Sequence, residues 1–236
     1  MSRRLRQLGR DQSGFTLPEL ITAMAIGMIV LLAAFTLLDK AVSGSTKLSA
    51  RQDATQRGRL AMEIITRELR SQVCLGDGQP ITAGNNDGVT FYANLSTTAD
   101  SADKRVLRYV AAEKRIYEDI YTGTGAFPDL TFPASPTRTR DLLKPVMPVV
   151  DGTVTRPMFR YYKYKVGGTP GELQQLSSPL SAVDAPDVVM IKVAFQSLPT
   201  RVIERDTDVV DGATFESDIY VRLADPTQPA EGPRCL

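Results

Sequence analysis

The sequence predicts an α+β protein, with a long N-terminal helix followed by an antiparallel β-sheet that carries a loop-rich insertion. Residues 15–38 form an apolar run whose only charge is Glu19, and after Lys40 the chain has no proline until Pro80. From Gly88 onward, short runs of β-branched and aromatic residues alternate with turn clusters, which is typical of antiparallel strands. With 236 residues, 42% of them hydrophobic, the chain is long enough to bury a core.

A basic leader, residues 1–14, precedes the apolar run. It carries Arg3, Arg4, Arg6 and Arg10 against a single acid, Asp11. Residues 15–38 would span about 36 Å as a helix, more than the ~30 Å hydrocarbon core of a bilayer. Basic residues tend to stay in the cytoplasm, so we expect the leader inside and everything after residue 38 outside the cytoplasmic membrane.

Three kinds of N-terminal segment fit a basic leader followed by an apolar run. A secretory signal has an apolar stretch of about 7–15 residues that ends at a small-x-small site. Here the apolar run continues to Leu38 and is followed by Asp39 and Lys40, without such a site. The Arg3-Arg4 pair is not followed promptly by apolar residues, as a twin-arginine signal requires. An uncleaved single-pass anchor and a processed filament subunit are left.

Glu19 separates the remaining alternatives, because a carboxylate in a membrane-spanning helix costs roughly 2–4 kcal/mol and is usually functional. It lies in the run Gly14-Phe15-Thr16-Leu17-Pro18-Glu19-Leu20, which resembles the type IV prepilin signature. In that family a membrane peptidase cuts after the glycine and methylates the new N-terminal amine. The resemblance implies that Gly14 ends the leader, that Phe15 becomes the methylated first residue, and that Glu19 pairs with the amine of Phe15 on a neighbouring subunit. Pro18 departs from the usual residue, but proline is tolerated in the first turn of a helix.

The helix is predicted to continue outside the membrane over residues 39–75, followed by a β-sheet domain over residues 76–236. Apolar and small residues recur there at three- and four-residue spacing, and this stripe should pack on a sheet. The stripe consists of Ala54, Gly58, Ala61, Met62, Ile65, Leu69 and Val73. Gly76 and Gly78 supply the predicted helix stop.

Six strands are predicted in the C-terminal domain, near residues 89–95, 105–110, 115–121, 157–166, 187–198 and 215–224. Residues 111–114 should form a hairpin turn. The strand at 187–198 alternates, with Val189, Ile191, Val193 and Phe195 on one face, so we expect it to be half buried. Nine of the fifteen prolines fall between Pro128 and Pro186, which predicts a loop-rich insertion with one strand inside it.

Later segments are similar to the larger minor pilins of the PilW and GspJ type. They are Leu107-Arg108-Tyr109, Ile116-Tyr117, Phe159-Arg160-Tyr161-Tyr162 and Ile219-Tyr220-Val221-Arg222-Leu223. The resemblance implies a minor pilin or pseudopilin, first anchored in the cytoplasmic membrane and then assembled into an extracellular or periplasmic filament. It implies as partners the prepilin peptidase and methyltransferase, other major and minor pilins, the inner-membrane assembly platform and membrane lipid. The filament would serve adhesion, DNA uptake or type II secretion.

Three further groups of residues are candidate sites. Cys74 and Cys235 are the only cysteines, and a bond between them would tie the C-terminal tail to the helix. Basic and aromatic residues alternate over 160–165, as in a groove for nucleic acid, with Arg160, Tyr162, Lys163 and Lys165 as the contacts. Strand alternation explains the same pattern by one core face and one solvated face. Asp206, Asp208, Asp211 and Gly212 are similar to a calcium loop but lack its spacing, which favours a polar turn.

Composition argues against catalysis. The absence of histidine removes histidine general bases and imidazole metal ligands. Two distant cysteines cannot form a Cys-x-x-Cys motif or a four-thiolate zinc site. No serine or threonine has a recognisable base partner, and no phosphate-binding glycine motif is present. We therefore expect no enzymatic activity, cofactor or metal. The alternative function is a membrane-anchored outer domain that binds a ligand and never polymerises.

Overall fold

A computed structural model describes residues 14–76, 79–96, 101–200 and 212–221. The chain divides into two compact units, one ending at Ser49 and one beginning at Ala50. A single helix, α1 (Leu17–Arg70), contributes residues to both units. The predicted class, a long N-terminal helix packed on antiparallel strands, is confirmed.

Within the second unit, α1 buries the predicted stripe. Ala54, Gly58, Ala61, Ile65 and Leu69 are buried, because their three- and four-residue spacing places them on one face. Two further members, Met62 and Val73, are half-buried.

The helix ends at Arg70 and not at residue 75 as predicted. The chain after Arg70 joins a strand instead: the Val73 amide donates to Tyr92 O at 3.0 Å, and the Asn94 amide donates to Ser71 O at 3.1 Å. Strand pairing therefore satisfies backbone groups that a longer helix would have used. Gly76 has a positive φ of 54°, but it lies in this later connection.

The first sheet is a five-stranded antiparallel meander in which neighbours in sequence are neighbours in space. Its strands are β1 (Ile81–Asn85), β2 (Gly88–Ala93), β3 (Asp103–Val110), β4 (Arg115–Thr122) and β5 (Arg138–Leu143). Three of them match the predicted strands at 89–95, 105–110 and 115–121. The predicted turn at 111–114 joins β3 to β4, and Lys114 there has a φ of 50°.

The remaining elements are β6 (Val146–Met147), β7 (Val150–Asp151), β8 (Val154–Thr155), β9 (Phe159–Tyr164), β10 (Leu173–Gln175), the 3-10 turn Ala185–Asp187, β11 (Met190–Ser197) and β12 (Ala213–Tyr220). They form a second antiparallel sheet with the order β10-β9-β11-β12, in which β6 also pairs β11, and β7 and β8 form a separate ribbon. The predicted strands at 157–166, 187–198 and 215–224 correspond to β9, β11 and β12.

The arrangement of the strands differs from the prediction of one sheet with an insertion in two respects. The domain has two sheets, and the proline-rich stretch between 128 and 186 contributes strands to both of them: β5 completes the first, and β9 and β10 belong to the second. Most of these strands have only two or three residues, and β6 and β9 pair with β11, which follows them after long connections. Short runs between prolines carry little periodicity, so the local pattern did not reveal them.

The core joins the helix stripe to the inner faces of both sheets. Tyr161 on β9 is fully buried, and its hydroxyl donates to Gly88 O at 2.7 Å and to Asn85 O at 3.1 Å. This links the second sheet to the β1–β2 turn of the first. Gly84 makes the approach possible, since a Cβ there would lie 2.5 Å from the Tyr161 ring. Burial raises the pKa of Tyr161, which keeps the hydroxyl protonated as a donor.

Strand β11 is more buried than predicted. The expected inner residues, among them Ile191 and Phe195, are fully buried, but Met190 and Ala194 on the other face are buried as well. β11 is more buried because it is a central strand of its sheet, with β9 and β6 on one side and β12 on the other. Only Lys192 and Gln196 on that second face keep partial exposure.

Gly58 allows Phe215 of β12 to touch the helix backbone. A Cβ at Gly58 would lie 2.1 Å from Phe215 Cε2, so a side chain requires the ring to move. We expect Gly58→Ala to lower the free energy of unfolding by up to about 2 kcal/mol, because overpacking costs ~1–3 kcal/mol and alanine returns ~1 kcal/mol of helix propensity. Urea unfolding followed by tyrosine fluorescence measures this. Gly44→Ala, on the same helix with nothing within 4 Å, is the control and should not destabilise; equal effects of the two changes would contradict the packing argument.

Candidate functional site

The N-terminal end of α1 is built by Thr16, Pro18 and Glu19. The Thr16 carbonyl accepts the amides of Glu19 at 3.0 Å and Leu20 at 3.1 Å, so the helix begins directly after Thr16. Thr16 and Glu19 have the spacing of a capping box, and the Thr16 hydroxyl lies 3.4 Å from Glu19 Oε2. Pro18 falls in the first turn, where its missing N–H costs nothing. Gly14 and Phe15 precede the helix, which leaves the bond between them outside helical structure.

The helix surface after this cap is apolar and uncovered. Between Phe15 and Leu38 the large hydrophobic side chains are 54–81% exposed, and Glu19 is the only charged residue among them. By length and composition, α1 is able to cross a membrane. An uncovered apolar surface of this length is costly in water, so it requires lipid or other apolar helices around it.

Glu19 is also exposed on this apolar surface. Its position in the first turn is favourable, because the positive end of the helix dipole stabilises a carboxylate there. In a hydrocarbon environment the same carboxylate needs a cationic partner. The arrangement can therefore act as a pairing site for a positive group that arrives with a neighbouring chain.

The residues predicted to contact nucleic acid lie on β9 and just after it. Their basic side chains form ion pairs within the domain. Each is paired with a carboxylate: Arg160 with Glu216 at 2.8 Å, Lys163 with Asp184 at 3.3 Å, and Lys165 with Glu172 at 2.6 Å. Tyr162 donates to Gln175 Oε1 at 3.4 Å. Paired cations give a phosphate backbone little net attraction. The geometry therefore does not favour a DNA groove here, and the DNA contacts stay a prediction.

The outer face of the first sheet also carries aromatic and basic side chains. Lys104 lies 4.1 Å from the centre of the Tyr121 ring, and Arg108 lies 4.5 Å from that of Tyr117. Arg108 also donates to Asp119 at 2.5 Å. Burial raises the pKa of Asp119, but hydrogen bonds from Arg108 and Thr139 outweigh it and lower the pKa overall. The basic side chains thus have aromatic rings and a carboxylate as partners. This face of the sheet can therefore be exposed to water without further structure packed on it.

The remaining predicted positions fall partly outside the described residues. Cys74 lies in the connection after α1 and is half-buried, whereas Cys235 is outside the described residues, so the disulfide stays a prediction. Asp206, Asp208 and Asp211 are outside them as well, and Gly212 directly precedes β12. Among the described residues, no group of three or more acidic or cysteine side chains is placed to hold a metal ion.

A buried charge cluster was missed by the sequence analysis. It consists of the buried residues Glu68 on α1, Arg105 on β3 and Glu118 on β4, with the partly exposed Asp103 on β3 and Arg140 on β5 at its edge. Arg105 Nη1 donates to Glu68 at 3.0 Å and to Glu118 at 2.5 Å, and its Nη2 donates to Asp103 at 3.1 Å. Arg140 donates to Glu118 through Nε and to Glu68 through Nη2. Both glutamates are fully buried.

The two glutamates of the buried charge cluster are shifted in opposite directions. Burial, followed by the hydrogen bond and repulsion from Glu118, raises the pKa of Glu68 to about 7. Burial also opposes ionisation of Glu118, but the hydrogen bond from Glu68 and the nearby Arg105 and Arg140 lower its pKa. One signal for the cluster was present in the sequence: Glu68 lies three residues after Ile65, on the buried stripe.

One comparison with known families bears on the N-terminal site. Residues 9–35 match the prokaryotic N-terminal methylation motif, a range that includes Gly14, Phe15 and Glu19. No curated protein matches the chain. The matched motif supports prepilin-type processing and methylation of this N-terminus, and the long apolar helix after it is able to anchor the chain in a membrane.

Proposed function

We propose that the chain is a minor pilin or pseudopilin, cut between Gly14 and Phe15, methylated on the Phe15 amine and assembled into a type IV pilus-like filament. The observation that carries this is a single carboxylate, Glu19, in the first turn of an exposed apolar helix that matches the methylation motif. The role is structural and not enzymatic. The subunit's part is to begin or modify the filament, through α1 inside and the two-sheet domain outside.

Several features support the further details of this proposal. The basic leader favours a cytoplasmic N-terminus, with the two-sheet domain on the outer side of the membrane. Cutting after Gly14 removes the leader and creates a positive amine four residues before Glu19. In a bundle of such helices, lipid is replaced by neighbouring apolar surfaces. The amine of one subunit would then be the cationic partner of Glu19 on the next subunit. A separate assembly platform in the inner membrane would extract the subunits.

The length of the chain supports a minor subunit over a repeating one. At 236 residues, with two sheets packed on the helix in the second unit, the outer domain is bulky for a subunit that must repeat densely along a filament. Its loops and sheet faces would then contact neighbouring subunits near the filament tip. The filament would be an adhesive pilus, a DNA-uptake pseudopilus or a type II secretion pseudopilus.

Replacing Glu19 tests the assembly role directly. We expect Glu19→Gln to be cut and methylated normally, but its content in purified filaments should fall at least about tenfold, the equivalent of ~1.4 kcal/mol per subunit. The amide keeps the size of the side chain and removes the charge that pairs with the amine. Quantitative mass spectrometry of sheared filaments and of the membrane fraction measures both steps.

Asp39→Asn is the matched control, since Asp39 is exposed and follows the apolar run on the same helix. It should enter filaments as the unaltered chain does. Normal incorporation of Glu19→Gln would contradict the pairing role and favour a membrane-anchored domain that does not polymerise.

A further inference from the structure

The buried charge cluster carries a net negative charge when every member is ionised. Glu68, Glu118 and Asp103 supply three negative charges, and Arg105 and Arg140 supply two positive ones. A net charge in a region removed from water is costly, whereas a neutral hydrogen-bonded group is tolerated. One added proton makes the cluster neutral.

The proton belongs between Glu68 and Glu118. Asp103 keeps 27% of its side chain exposed, so water stabilises its charge, but both glutamates are fully buried. Arg105 and Arg140 each donate to both glutamates, which holds the two carboxyl groups side by side. Glu68 also lies in the last turn of α1, where the negative end of the helix dipole disfavours a second negative charge.

We infer that Glu68 and Glu118 share one proton, and that this proton makes the attachment of α1 to the first sheet tighter in acid than in alkali. Glu68 is the helix's member of the cluster, and every partner it contacts there is on β3, β4 or β5. When the proton leaves, the hydrogen bond between the carboxyl groups is lost and two anions face each other across the boundary between helix and sheet.

The direction of the pH dependence follows from where the proton is held. The folded protein keeps the Glu68 proton up to a pKa of about 7, whereas an unfolded glutamate releases it near 4.5. Unfolding in this window therefore releases a proton, so the stability that this proton contributes is complete below about pH 4.5 and is lost as the pH rises through about 7. Histidine, the side chain that ordinarily titrates in this window, is absent from the sequence.

Urea unfolding of the full chain in detergent micelles, followed by tyrosine fluorescence, tests the inference. The chain has eight tyrosines and no tryptophan. Between about pH 5 and about pH 8, the unfolding equilibrium constant should rise at least about tenfold for the unaltered chain. Glu68→Gln and Glu118→Gln each leave a neutral cluster without an added proton, so their constants should change less than about twofold. Equal slopes for Glu68→Gln and the unaltered chain would overturn the inference.

Asp141→Asn is the matched control, because Asp141 is a carboxylate on β5 that pairs with Arg115 and is 52% exposed. It should keep the slope of the unaltered chain. Should both glutamine variants fail to fold, infrared spectroscopy of the unaltered chain decides the question. A carbonyl band from a buried protonated carboxyl group, present at about pH 6 and absent at about pH 9, is expected, and its absence at about pH 6 would overturn the inference.

Discussion

Arg105→Ala is expected to lower the free energy of unfolding of the second unit by about 3–5 kcal/mol. Arg105 bridges the two buried glutamates and Asp103, and only 7% of its side chain is exposed. Its removal leaves buried carboxylates with one cation, Arg140, and no solvent to replace the lost hydrogen bonds. Urea unfolding of the full chain at neutral pH, with tyrosine fluorescence as the signal, measures the loss.

Arg115→Ala is the matched control for this change. Arg115 pairs with Asp141, whose side chain is 52% exposed, and ion pairs near water contribute little to stability. The double variant Arg105→Ala with Glu118→Gln should lose less than the sum of the two single changes, since it removes an uncompensated charge. If Arg105→Ala and Arg115→Ala lost the same small amount, the cluster would not be a main contributor to stability.

Gly14→Val is expected to abolish processing of the chain. The bond after Gly14 lies outside the helix, which begins at Leu17, and a residue without Cβ lets the backbone enter a peptidase site closely. A β-branched side chain restricts the backbone and fills that space. Mass analysis should find the full leader retained, no methylated Phe15 and no subunit in filaments.

Gly27→Val is the control for the cleavage step, because Gly27 lies within α1 and nothing is within 4 Å of its Cβ position. It changes a glycine of the same apolar segment and should be cut normally. Normal cleavage of Gly14→Val would show that the recognition of this N-terminus does not depend on Gly14.

The N-terminal features of the chain were predictable because their sequence signals are local. Leader charge, the Gly14-Phe15 pair, Glu19 and the apolar run lie within forty residues and depend on no tertiary contact. The helix stripe was also predictable, since Ala61, Ile65 and Leu69 follow the helical period. The end of the helix was not, because Ser71 and Val73 leave it to pair with β2, which is a tertiary effect.

The two-sheet arrangement and the buried charge cluster could not be deduced in the same way. β10 has three residues and β5 lies in the proline-rich stretch, and each is defined by its partner strand. Glu68 on the apolar stripe was one anomaly, but Arg105 and Glu118 resemble ordinary polar residues of alternating strands. Their burial is decided by which strands the helix covers, and sequence periodicity does not contain that information.

N-terminal mass analysis of the protein from its native membrane, with and without the prepilin peptidase, tests the central claim most directly. With the peptidase present, we expect a chain that begins at methylated Phe15; without it, we expect the leader to remain. A chain that keeps Met1 in the presence of the peptidase, or one cut beyond Leu38, would contradict processing as a pilin-like subunit.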